Sequence, residues 1–403
     1  ADVVATLRLA SQHRVPVVPR GSGYGLAGGA NAVDGCIVLS LAAMQRIVEI
    51  DDESMVAVVE PGVITADVRR AAAEHGLFYA PDPSSYEFSS IGGNVATNAG
   101  GLCCAKYGVT RDSVLGLRAV LPDGRELQTG HLSVKGVAGY DLTALLTGSE
   151  GTLAVITEAT LRLRPLPPPP LGLIASFAGA ADAARAAAAI RHRVVPCLLE
   201  LMDEVTVSAI EAWKRPGLSG GCVLLAQSDA GAQAEADVAT MRTVCEELHA
   251  LSVDAATEPD EAAYMLSVRR MAIPALERTG TTLLDDVAVP FGKLAALVDG
   301  VQEIARVRGV TVAVFGHVGD GNMHPTLVYD AADERAVAAS RAAFDDIVRL
   351  ALQLGGTSTG EHGVGLLKRK HLEDEVGPVS LTLQRELKRL FDPYQILNPG
   401  KVL

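Results

Sequence analysis

Residues 164–170 read Arg-Pro-Leu-Pro-Pro-Pro-Pro, and no other stretch limits the fold so strongly. Proline lacks an amide hydrogen and fixes φ, so the run continues neither a helix nor a sheet ladder. It favours an extended, semi-rigid connector. A chain of 403 residues, at roughly 150 residues per domain, is therefore expected to divide here. Each part is long enough to bury its own core.

Upstream, strand-like runs at 15–18, 36–39, 55–59 and 153–156 alternate with Gly-rich turns, and a helical patch covers 65–75. Downstream, helical patterns at 182–193, 232–250, 261–278, 293–306 and 342–354 alternate with strand-like runs at 221–226, 286–289 and 310–315. That alternation reads as an α+β sheet covered by helices. The expected organisation is a first domain over 1–165, a second over 171–390 and a tail, 391–403, whose Pro/Gly turns pack it down rather than leave it frayed. Val3, Val4, Leu7 and Leu9 recur at helical spacing from the first residues, with nothing before them to cap a helix. A domain that opens in mid-helix leads us to expect a preceding segment.

Lys and Arg number 35 and Asp and Glu 48, a formal charge of −13, which argues against a nucleic-acid or anionic-membrane partner. Mean hydropathy is positive at +0.24, yet the most apolar run, 171–190, is broken by Asp182 and Arg185, so no membrane span is expected. Aromatics are only 4%, which leaves Ala, Val and Leu to build the core. The six cysteines contain no Cys-x-x-Cys pair and read as reduced thiols of a cytoplasmic protein. Cys103-Cys104 reads either as a redox pair or as two small hydrophobes.

Glycine then becomes informative. The run Arg20-Gly21-Ser22-Gly23-Tyr24-Gly25-Leu26-Ala27-Gly28-Gly29 follows a strand. Its Gly-x-Gly-x-x-Gly matches the dinucleotide fingerprint in form, but a helix should open there to receive the pyrophosphate. Another strand follows instead, so the Rossmann reading fails. The loop remains either a structural turn or an anion nest of backbone N–H groups. Residues 91–101, after Pro81-Asp82-Pro83-Ser84-Ser85, and residues 148–157 are similarly lean, as backbone that closely approaches a flat ligand requires.

These loops resemble the flavin-binding domain of the vanillyl-alcohol oxidase (PCMH-type) family. The resemblance implies FAD, with Arg20, Gly21, Ser22, Gly23, Tyr24 and Gly25 at the pyrophosphate. Pro81, Ser85, Gly92, Asn94, Thr97, Asn98 and Gly101 would line its middle, and Glu150, Gly151 and Ile156 would lie nearer the ring. No His or Cys occurs in residues 21–29, so the flavin is expected to be non-covalent.

Two further segments carry chemistry. One is Gly316-His317-Val318-Gly319-Asp320-Gly321-Asn322-Met323-His324, the other Gly360-Glu361-His362-Gly363-Val364-Gly365. A lone His is commonly structural, but three with a carboxylate on Gly-flanked turns suggest a site. Two imidazoles and a carboxylate suit a divalent metal with an open position, and the remaining His could serve as general base.

This pair resembles the C-terminal domain of FAD-linked D-2-hydroxy acid dehydrogenases, the group of D-lactate dehydrogenase, the glycolate oxidase FAD subunit and D-2-hydroxyglutarate dehydrogenase. The resemblance implies that His317, His324 and Glu361 hold the metal, expected as Zn with Mn, Fe or Co open, and that His362 is the base. It implies that Arg269 (Arg270 being the competing choice) grips the substrate carboxylate. Asn398, in Asn398-Pro399-Gly400-Lys401, would return to the flavin domain. The implied reaction oxidises a D-2-hydroxy acid to the 2-oxo acid, with hydride passing to flavin N5. With no nicotinamide fingerprint, the electrons are expected to leave to a quinone, a cytochrome or an electron-transfer protein. The rivals are a metal-dependent hydrolase and a non-catalytic flavin electron-transfer subunit. Which 2-hydroxy acid is oxidised, and whether the chain forms a homodimer, stay open.

Overall fold

Leu7 and Ala10, three residues apart, share one face of the opening helix α1 (Asp2–His13), and that face is buried. Arg14 then turns left-handed, with φ 54°, and its N–H closes the helix on the carbonyls of Ala10 and Ser11. The structure is a computed structural model and describes residues 1–133, 135–218 and 221–403.

Strands β1 (Val17–Arg20), β2 (Ile37–Ser40), β3 (Ile47–Asp51) and β4 (Val56–Val59) come next. They are followed by α2 (Thr65–Glu74), β5 (Leu77–Phe78), α3 (Ile91–Thr97), α4 (Cys104–Tyr107), α5 (Thr110–Ser113), β6 (Val114–Val120), β7 (Glu126–Gly130), α6 (Leu142–Leu146), β8 (Val155–Arg162) and β9 (Arg164–Pro165). After the prolines run β10 (Leu171–Phe177), α7 (Ala180–Arg191), β11 (Leu198–Met202), α8 (Glu204–Trp213), β12 (Cys222–Ser228), α9 (Ala234–Glu247), β13 (Ser252–Ala255), α10 (Pro259–Arg270) and α11 (Ala272–Glu277). Then come β14 (Thr281–Leu284), β15 (Val287–Ala288), α12 (Leu294–Arg308), β16 (Thr311–His317), β17 (Asn322–Tyr329), α13 (Glu334–Gln353) and α14 (Leu372–Phe391).

Contacts divide the chain into two units, one of residues 1–101, 108–166 and 361–403, the other of 102–107 and 167–360. The first holds the parallel pair β1-β2 and an antiparallel sheet ordered β3-β4-β8-β6-β7. Val59, Val68, Tyr79, Ile91, Leu117 and Leu161 centre its core. The chain rejoins this unit from Glu361, not from residue 391. The reason lies in its bonds: Leu366 N–H donates to the Ala27 carbonyl at 2.8 Å and Lys388 Nζ to the Thr152 carbonyl at 2.7 Å.

The second unit is one antiparallel sheet, β13-β10-β12-β11-β16-β17-β14, with β15 also on β17. Helix α12 packs on α7 and α13, and α8 packs on α11. The short α4 is tied here because Lys106 and Tyr107 both bond the Asp229 carboxylate.

Three departures from the sequence expectations have physical causes. The helix expected over 261–278 breaks at Met271, because the ring of Pro274 would meet the carbonyl four residues back. The second glycine run forms helix α3, capped by Ser90 Oγ, which accepts from Gly93 N–H. Gly92 lies so close to Pro61 that a Cβ would come within 2.5 Å of it. The strand expected to end at 315 runs on to His317. No helix among the described residues is long and apolar enough to cross a membrane.

Candidate functional site

The His-x6-His spacing is that of a hairpin. On β16 and β17, Phe315 pairs with His324 and His317 with Asn322. Residues two apart on a strand share a face, as do cross-strand partners, so His317 and His324 point the same way as diagonal neighbours. Their Nε2 atoms stand 3.2 Å apart, and both side chains are buried. Gly321 permits the turn: its φ is 91°, and a Cβ there would lie 2.4 Å from the Val289 carbonyl.

Behind the imidazoles stand carboxylates. Glu200, on β11, is wholly buried, with Oε1 2.6 Å from His317 Nδ1 and Oε2 accepting from Arg269 Nε at 2.8 Å. Burial alone would raise this carboxyl, but His317 and Arg269 on its two sides hold it below its ordinary value. Asp286 lies 3.8 Å from His324 Nδ1, and its carboxylate accepts from Asn322 Nδ2 at 2.7 Å and Thr359 Oγ1 at 2.8 Å. Arg269, at the end of α10, is buried while Arg270 is exposed. Its guanidinium lies over the Phe315 ring at 4.9 Å. Among the described residues its Nη groups donate to no acceptor.

This donor set fits a divalent metal. Two imidazole nitrogens bound tetrahedrally at about 2.05 Å would stand roughly 3.3 Å apart, close to the 3.2 Å observed. Each Nδ1 also faces a carboxylate, the usual arrangement around metal-binding imidazoles. Glu200 and Asp286 were not singled out from the sequence. A signal existed for Glu200: it is one charge inside the apolar run Leu198-Leu199-Glu200-Leu201-Met202, and a charge so placed is buried only with a partner.

In the first unit, the loop after β1 runs into the coil before β2 with no helix between them. Among the described residues, the backbone N–H groups of Gly23, Tyr24, Gly25 and Leu26 meet no protein acceptor. Gly25 has open space where a Cβ would stand, and exposed Tyr24 stacks on Phe88 at 5.5 Å. Bare, successive donors of this kind suit a pyrophosphate.

Several residues expected to contact the flavin also bond within the protein. The Arg20 guanidinium donates to the Ala30 carbonyl at 2.8 and 3.1 Å. Asn94 Nδ2 donates to Thr65 Oγ1 at 2.7 Å, Thr97 Oγ1 to the Gly93 carbonyl at 3.2 Å, and Asn98 Oδ1 accepts from Arg111 N–H at 2.8 Å. Ile156 is a buried core residue of β8. Ser22 N–H donates to Ser90 Oγ at 3.3 Å, and Gly21 leaves room for that hydroxyl, 2.2 Å from where its Cβ would be. Gly101 lies against the Asp82 carbonyl and Gly151 against Pro19. Pro81 is buried and Ser85 half-buried, its carbonyl accepting from Phe88 and Ser89 N–H. Asn398 Nδ2 donates to the carbonyls of Gly29 at 2.9 Å and Glu150 at 2.7 Å. Glu361 and His362 directly follow Gly360 and belong to this unit, Glu361 beside Gly100, whose Cβ would lie 2.5 Å from Oε2.

Comparison with known proteins gives the class. Residues 1–130 match the FAD binding domain family, and residues 172–402 match the family of FAD linked oxidases, C-terminal domain. The chain is 42% identical to glycolate oxidase subunit GlcD of Bacillus subtilis, over all of this chain and 86% of that one. It is 37% identical to D-lactate dehydrogenase of Archaeoglobus fulgidus, over all of this chain and 89% of that one. The fold resembles p-cresol methylhydroxylase with a TM-score of 0.80, at 18% identity over 99% of this chain and 86% of that one. The chain belongs to the FAD-linked oxidase family. It is an FAD-linked oxidoreductase with a PCMH-type FAD-binding domain and an FAD-oxidase C-terminal domain.

Proposed function

We propose that this protein oxidises a 2-hydroxy acid of the glycolate or D-lactate type to its 2-oxo acid, assisted by a divalent metal and non-covalent FAD. The carrying observation is Glu200, one buried carboxylate that bonds both His317 and Arg269. The relatives named for glycolate and D-lactate support the substrate class. Arg269 offers two Nη groups to a substrate carboxylate, in the fork geometry that such a pair favours. Glu200 on its Nε and the Phe315 ring at 4.9 Å fix the guanidinium plane. His317 donates from Nδ1 to Glu200, which leaves the Nε2 lone pair facing His324.

His317 and His324 are the proposed metal ligands. Glu361 joins them on the motif resemblance. His362 is the proposed base for the hydroxyl proton. When bound, the flavin supplies the two-electron acceptor and the metal the Lewis acid that makes the hydroxyl easier to deprotonate. The electrons then pass to a quinone, a cytochrome or an electron-transfer protein.

The test is turnover with an artificial electron-accepting dye, trapping the 2-oxo acid formed. Arg269→Met should raise KM for the 2-hydroxy acid by about 10²-fold, the scale of losing a charged bidentate partner. An unchanged KM would remove Arg269 from the proposal. A dye left unreduced by glycolate and D-2-hydroxy acids alike would remove the reaction.

A further inference from the structure

Residues 361–367 lie in neither helix nor strand, yet they carry Glu361 and His362, whose placement the proposed reaction needs. Several residues outside the turn bond it, and one of them is a buried carboxylate. Glu150 is buried, 7% exposed. Its Oε1 accepts from Val364 N–H at 2.7 Å and its Oε2 from Gly365 N–H at 2.9 Å. The glycines around it read as clearance for this carboxylate: a Cβ on Gly363 would lie 2.8 Å from its carboxyl carbon, and one on Gly29 3.1 Å from Oε2.

The main chain of Glu150 is itself pinned. Its N–H donates to the Ala96 carbonyl at 2.7 Å, and its carbonyl accepts from Asn398 Nδ2 at 2.7 Å. Lys401 Nζ in turn donates to Asn398 Oδ1 at 2.7 Å and to the Asn31 carbonyl. Leu366 N–H bonds the Ala27 carbonyl at 2.8 Å, and Val402 N–H bonds the Gly365 carbonyl at 2.9 Å.

We infer that Glu150 is a positioning residue: its carboxylate clamps the Val364 and Gly365 amides and so fixes the turn that presents Glu361 and His362. The sequence resemblance also expects Glu150 near the flavin ring, and the clamp is a role in addition to that expectation. Both of its carboxyl oxygens are taken by the turn. Burial pushes the carboxyl up to about 7 against the pull of the two amides and Lys401, so holding it ionised costs the fold stability above that pH. The catalytic consequence rests on the proposed oxidation of a 2-hydroxy acid, whereas the clamp itself does not.

The experiment compares wild-type and Glu150→Gln holoenzymes by hydrogen exchange and steady-state kinetics. A glutamine presents one acceptor oxygen where the carboxylate presents two. Exchange in the peptide spanning residues 361–367 should rise at least about 10-fold while α13 stays protected. With FAD content unchanged, kcat should fall on the order of 10²-fold, the cost of misplacing a reacting group by about an ångström. Unchanged exchange at Val364 and Gly365 would overturn the clamp. FAD lost in proportion to activity would overturn it too, by making Glu150 a flavin ligand. Gly363→Ala strikes the clamp from the other side, at φ 86°, and should reproduce the exchange result if Glu150→Gln does not fold. In the double variant the two effects should not add; full additivity would contradict a shared clamp. If exchange rises but no 2-hydroxy acid reduces the wild-type flavin, the clamp stands and the proposed reaction falls.

Discussion

Glu200 orients two groups with one carboxylate, His317 through Oε1 and Arg269 through Oε2. Removing its charge leaves Arg269 buried without a counter-charge, at a cost of about 3 kcal/mol. Glu200→Gln should therefore unfold at lower urea and lose roughly 10- to 100-fold in metal affinity, as loss of such an outer partner does. Wild-type values for both would show that the carboxylate orients nothing. Glu150 gives the pH prediction. Its folded-state pKa of about 7 lies above the ordinary 4.5, so the folded chain binds the extra proton between those values. Wild type should lose stability relative to Glu150→Gln as pH rises from 4.5 to 7, and the difference should level off above that. A gap in melting temperature that is flat with pH would refute it. At this scale the sequence shows residue types but not partners. His317 and His324 stand out by their glycine neighbours, whereas nothing in the string reveals Thr65 as a partner of Asn94 or the Arg111 amide as a partner of Asn98.

Between elements, the hairpin β16-β17 turns a sequence spacing into a pair of facing imidazoles, and its turn depends on Gly321. Gly321→Ala would force a Cβ at φ 91° to within 2.4 Å of the Val289 carbonyl. It should cost about 1–3 kcal/mol and weaken metal retention, read by melting temperature and by metal analysis after dialysis. Unchanged melting and metal content would show that the turn tolerates a side chain. Much of the element pattern was legible: the helix expected over 65–75 is α2, Thr65–Glu74, and that over 293–306 is α12, Leu294–Arg308. Helix α3 was not, because Ile91-Gly92-Gly93 lacks helix propensity and a contact with Pro61, thirty-odd positions earlier, holds it. The extension of β16 to His317 was hidden by Gly316, which interrupts the β-branched run but allows the close approach of Asn322 and Met323.

Across the whole molecule, the family resemblance carried by the glycine-rich runs and the two His/Glu motifs implied a flavoprotein oxidoreductase, and the matches over residues 1–130 and 172–402 agree. The route of the chain was less legible. Its return from Glu361 depends on hydrogen bonds that backbone N–H groups of Val364, Gly365 and Leu366 donate to the Glu150 carboxylate and the Ala27 carbonyl, which leave no mark on composition. The proposed metal and the flavin draw on separate residues, which predicts separable losses. A chelator should abolish turnover while leaving the bound-flavin absorbance intact, and Zn or Mn should restore it. Turnover indifferent to prolonged chelation would leave the imidazole pair a structural role. The most direct measurement of the central claim is an anaerobic titration of the purified yellow protein, following flavin absorbance. Glycolate or D-lactate should bleach it stoichiometrically and L-lactate should not. Bleaching by neither D- nor L-2-hydroxy acids, or by both equally, would contradict the account.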